Sequence, residues 1–310
     1  MSFPATTQTF SGRSLLAWKV VISVLYGAGI AASAARLIYR YRSKSLGVDD
    51  YFALLVPISS AISAGVIWPL YKALDSHDGI PEQVTLYWVM SVSWLITIWS
   101  SRIALGFTLK KTIPEGSAFR MAFNVLLICF AILLFGNIPW LVTTGCTHMS
   151  RFQPDIRTLT YCNANRRGYA IINFISLFYS EIWLIIIPVL AHIKSRLSVS
   201  QSRTLQISAC LSAVLIVLTS LHAAVYFSPL VVGSDGLFTI DMAQHLEAAL
   251  SAIVCNVPIL VAFFFWARRG EAENGTVAVA PTFQVSLNET SKQDDEVSIA
   301  SREVKDIHVV

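Results

Sequence analysis

Glu181 stands midway through a long apolar stretch of the chain, and Arg102 stands inside another. A charge at the bilayer centre costs about 2.5–3.5 kcal/mol on insertion scales, so each is a functional suspect. Two readings are open. They form an ion pair that locks two helices, or Glu181 meets a ligand, a proton or a substrate. An isolated carboxylate there would be costly to ionise unless a cation is close. With a rise of about 1.5 Å per residue, the two groups differ in depth by roughly 7.5 Å, which an arginine can bridge. His222 and Glu247 each lie about one turn from the end of their stretches, where they could hydrogen-bond across a helix hairpin or line a ligand site. Asn173, Asn137 and Asn256 suit hydrogen bonds between helices. Lys19 and Arg36, near stretch ends, can snorkel to the interface and read as structural.

Other chemistries lack their residues. A retinal Schiff base needs a lysine on the last apolar stretch, and none is present. A di-haem site wants paired histidines at two depths on neighbouring helices. His192, His222 and His245 do not form such a set. No Walker loop, zincin motif or Gly-x-Ser-x-Gly occurs. No catalytic residue, cofactor or metal site is assigned, and nucleic-acid binding has no support.

The elements that carry these side chains are legible from composition. Of 310 residues, 55% are hydrophobic and 14% charged, where a soluble domain has about 25% charged. The apolar residues fall into seven blocks: Leu15 to Tyr39, Tyr51 to Tyr71, Thr85 to Leu109, Ala118 to Val142, Tyr169 to Ile193, Leu205 to Phe227 and Ala243 to Ala267. About 20 helical residues span the hydrocarbon core, so each block reads as one crossing. The fold class is all-α, a seven-transmembrane helix bundle. Gly27, Ala31 and Ala35 make a small-residue stripe on the first span that allows close helix approach.

Lysine and arginine in the loops set the orientation. One set of loops holds 11 of them and the opposite set 6. The expected topology has residues 1–14 outside, residues 15–267 as the seven-span domain and residues 268–310 as a disordered cytosolic tail. From Arg268 the tail carries five basic and eight acidic residues and is polar enough to stay unfolded. Its Ser and Thr are open to phosphorylation. Its sequons, at Asn274 and Asn288, should carry no glycan in the cytosol. Cys146 and Cys162 share one outer loop, where an oxidising compartment allows a disulfide; two free thiols are the alternative. Cys129, Cys210 and Cys255 lie within spans and read as small packing residues.

Asp49 and Asp50 open the second span. Free N–H groups at a helix start donate to a carboxylate cap, and Arg42 and Lys44 can pair with whichever acid is left over. Gly47-Val48-Asp49-Asp50 is also one of five motifs in order. The others are Ser101-Arg102-Ile103-Ala104-Leu105 through Lys110, the outer-loop Cys146 and Cys162, Glu181 followed by Pro188, and Glu247 followed by Pro258. On these motifs residues 15 to 270 resemble the fungal rhodopsin-like integral membrane family. Its seven-span members include candidate G-protein-coupled receptors implicated in sensing plant surfaces, and proteins encoded in secondary-metabolite clusters such as that of satratoxin. The chain departs from the pattern in lacking an aromatic just before Glu247 and an arginine late in the sixth span.

The resemblance implies a receptor-like membrane protein of the plasma membrane. It would sense a small or lipidic ligand without retinal and relay to a cytosolic partner such as a G protein. The alternative is a membrane-embedded enzyme of secondary metabolism that uses Glu181 as a general acid. A transporter comes third, because no internal repeat is evident.

Overall fold

The structure is a computed structural model and describes residues 12–75, 80–144, 167–194, 199–228 and 234–261, with 197 and 263. Among these residues every regular element is a helix: α1 Gly12–Arg42, α2 Val48–Asp75, α3 Ile80–Thr112, α4 Ala118–Thr144, α5 Arg167–Lys194, α6 Val199–Phe227 and α7 Ser234–Val254. Each carries an apolar run of 22 to 29 residues, that of α7 continuing past its end to Val261, long enough to cross a membrane. The chain is a multi-pass membrane protein with an all-α, seven-helix bundle. Arg40, Arg42, Lys110 and Lys111 mark one end of it, the basic end.

Successive helices pack side by side, and α1 closes the ring against α7. α3 stands inside that ring and touches α5, α6 and α7 as well as its chain neighbours α2 and α4. Its apolar window is 83% buried, against 17% for α1. Its composition suits that position: Ser91, Ser93, Thr97, Ser100, Ser101, Thr108 and Thr112 are all buried. Small hydroxyl residues let neighbours approach closely and supply hydrogen bonds where apolar burial offers no contrast with lipid. Ser93 meets Ser63 at 2.9 Å, and Thr97 donates to Ser59 at 2.7 Å, tying α3 to α2. Ser101 and Thr108 donate back to carbonyls of their own helix.

The small-residue stripe on α1 does not make a helix contact. Gly27, Ala31 and Ala35 face outward, and a Cβ on Gly27 would meet nothing within 4 Å. The inward face is Ile22, Tyr26, Gly29, Ser33 and Arg36. The close approach occurs at Gly29, whose added Cβ would lie 3.0 Å from the Ala252 side chain on α7.

Two helix ends depart from regular geometry close to charged residues. Lys44 has φ 51°, and the bonds Lys44 N–H to Tyr41 O and Ser45 N–H to Arg40 O close α1 with a Schellman motif. α7 loosens at Cys255 and Asn256 before a last helical run, 257–261. Pro258 has no N–H to give to Val254, and its ring crowds that carbonyl.

Candidate functional site

The interior of the bundle holds one charge cluster built by four helices. Arg102 of α3 places Nη2 2.8 Å from Glu181 Oε1 on α5 and 3.9 Å from Glu247 Oε1 on α7. Its Nε donates to Ser180 Oγ at 2.8 Å, and its Nη1 donates to Ile98 O at 3.3 Å. On α6, Thr219 donates to Glu247 Oε1 at 2.6 Å, and His222 Nδ1 lies 2.7 Å from Glu247 Oε2. Sequence alone suggests two separate pairs. The central place of α3 merges them, because its guanidinium lies between α5 and α7. At 2.8 Å the Arg102–Glu181 contact is a buried ion pair. Ser212 of α6 lies alongside the buried Glu181 carboxylate.

A second cluster joins α1, α2, α3 and α7 at the basic end. Arg36 is fully buried and does not snorkel. It reaches Asp49 Oδ2 at 3.1 Å, Asp50 Oδ1 at 3.4 Å and the Cys255 carbonyl at 3.3 Å. Arg40 adds a 3.5 Å contact to Asp49, and Lys111 of α3 binds its other oxygen. The expected partners Arg42 and Lys44 are exposed and take no part; Arg42 points away from the inward face of α1, and Lys44 is turned by its left-handed backbone. Asp50 caps α2 from its third residue. Its carboxylate accepts the Gly47 N–H at 2.9 Å while its own N–H donates to Gly47 O, half of a capping box. A Cβ on Gly47 would meet Asp49 Oδ1 at 2.7 Å and Lys111 Nζ at 2.8 Å, so a side chain there would force the ion pair to shift.

The remaining candidates separate. Asn173 is buried on α5 with Oδ1 unpartnered among the described residues. Asn137 donates to Leu133 O in its own helix, and among the described residues no bond from it to another helix is seen. Asn256 donates to Ser33 Oγ at 2.9 Å and does link α7 to α1. Cys210 is exposed on α6, whereas Cys255 is buried. Cys146, Cys162 and the tail lie outside the described residues. Sequence reading passed over a third polar contact, where His245 takes the Tyr26 hydroxyl at 2.9 Å and Met90 Sδ at 2.9 Å on its two nitrogens. The signal for it was Tyr26 on the same helical face as Ser33 and Arg36. Among the described residues no group of three or more His, Cys, Asp and Glu side chains is placed to hold a metal ion.

Comparison of the chain with protein-family models and with curated proteins gives no match. The clusters must therefore be read from their own chemistry. Ion pairs in the interior of a bundle are costly to isolate, since breaking one leaves a buried charge uncompensated. They act as catches between helices that have few apolar reasons to stay together in lipid.

Proposed function

We propose that the chain is a receptor-like integral membrane protein of the fungal rhodopsin-like kind, which senses a small or lipidic ligand without retinal. The observation that carries this reading is the buried contact of Arg102 with both Glu181 and Glu247. A polar ligand group that competes for Arg102 or for the Glu181 carboxylate changes the relative stability of two helix packings, which is all a ligand needs to shift an equilibrium. Asn173 and His222 lie on the side of this cluster away from the basic end, where such a ligand would enter. Along α7 the same face runs from Glu247 through Ser251 to Cys255, whose carbonyl holds Arg36. A shift at the core thus reaches the basic end, which by its lysines and arginines faces the cytosol and would meet a G protein. The plasma membrane is the natural site for such a sensor.

The enzyme reading is weaker, because the 2.8 Å contact with Arg102 favours the ionised form of Glu181, and a general acid must hold a proton. A melting screen of the whole chain in lipid nanodiscs against a library of lipidic small molecules separates the two. The receptor reading expects a compound that raises Tm, fails to do so with Glu181→Gln, and is recovered unchanged. Recovery of a converted compound establishes the enzyme instead. A library without effect on the wild-type chain counts against both.

A further inference from the structure

Arg102, Glu181, His222 and Glu247 are each at most 4% exposed and form one chain of contacts. Their formal charges do not balance. Arg102 brings one positive charge, and the two carboxylates bring two negative ones. An uncompensated charge in a protein interior is expensive. Among the described residues, no other cation on the packed helices is placed to help. His245 on α7 is taken by Tyr26 and Met90. His192 on α5 is bonded to Ser202 and Gln206. Lys194 and Arg203 sit at the basic ends of α5 and α6, and on α3 Lys111 serves Asp49 while Lys110 lies over Phe107. Asp241 on α7 is an acid, and Tyr226 on α6 packs edge-on against Phe174. What remains to balance the cluster is a proton.

His222 is suited to share it. Nδ1 lies 2.7 Å from Glu247 Oε2, and Thr219 already occupies the other oxygen as donor. The imidazole stands perpendicular to Phe174 and Trp94, with ring centroids 4.9 and 6.2 Å away. We infer that the core cluster is a proton-binding site, where one exchangeable proton sits on the His222–Glu247 pair and makes the cluster neutral. With it bound, two cations face two carboxylates, and α6 and α7 are held to α3 and α5. When it leaves, one negative charge is unbalanced and that hold weakens. The site stands whether or not the chain is a receptor.

The test melts the whole chain in lipid nanodiscs across a pH series without added ligand. The wild-type Tm is expected to fall by about 2–4 °C per pH unit on the alkaline side, the equivalent of one proton. Glu247→Gln leaves Arg102 balanced by Glu181, and Glu181→Gln leaves it balanced by Glu247, so both should be flat over that range. A flat wild type overturns the site, and so does an unchanged slope in both variants. A slope that vanishes in saturating sodium also overturns it, because a metal cation then supplies the balance. If neither variant folds, 15N-histidine NMR of the wild-type chain decides. One buried imidazolium that deprotonates over the range supports the site, and its absence overturns it. Failure of the ligand screen leaves these melts unaffected, so the two readings fail separately.

Discussion

Removal of the Arg102 side chain should be felt by α3, α5 and α7 at once. Arg102→Leu leaves Glu181 and Glu247 buried without their cation, and a loss of about 3–5 kcal/mol is expected, read as a fall in unfolding free energy in mixed micelles. Adding Glu181→Leu removes one stranded charge and should restore part of that loss, a coupling that a double-mutant cycle measures directly. At the basic end, Gly47→Ala drives a methyl group into the Asp49–Lys111 pair. The expected cost is about 1–3 kcal/mol, the range for forced overpacking, checked by the Tm of the purified chain. At this scale the sequence announced which residues matter more clearly than it announced their partners. Asp49 and Asp50 stood out as charges at a span's mouth, but proximity along the chain favoured Arg42 and Lys44. Helix phase decides otherwise, since Arg36 and Arg40 are one turn apart on the inward side of α1.

Helix ends explain more than helix interiors do. Lys44 occupies a left-handed backbone that costs a non-glycine residue about 1–2 kcal/mol. Lys44→Gly should therefore raise stability by about 1 kcal/mol without touching either charge cluster, and chemical or thermal unfolding would register it. On α7, Pro258→Ala restores an N–H opposite Val254 and should slow amide exchange across the 255–260 segment, measured by hydrogen–deuterium exchange with mass spectrometry. The positions of the helices were legible because membrane spans announce themselves by length and apolarity. Their faces were not. α3 is hydroxyl-rich all round, so no stripe marks which neighbours it meets. On α1 the smallest residues, Gly27, Ala31 and Ala35, look like a packing surface, yet the bulkier Tyr26 and Arg36 turn inward because they have hydrogen-bond partners to reach.

For the whole molecule, the excess of lysine and arginine in one set of loops leads to the expectation of a cytosolic tail from residue 268. Asn274 and Asn288 should then remain unmodified in cells that glycosylate. An engineered sequon within residues 145–166 should gain a glycan, visible as an endoglycosidase-sensitive mass shift. The merging of two polar pairs into one cluster is a property of this scale alone, since it requires α3 at the centre and no local pattern encodes that. The same placement has a consequence for synthesis. α3 has the least apolar of the seven spanning windows, and it carries Arg102 into the bilayer before the ribosome has made Glu181 or Glu247. For that interval the arginine has no counter-charge, and the penalty of about 2.5–3.5 kcal/mol falls on a helix poorly equipped to bear it. The helix that ends at the centre of the finished protein is thus the one least able to enter the membrane unaided. Its entry is therefore the insertion step that gains most from the arrival of later helices.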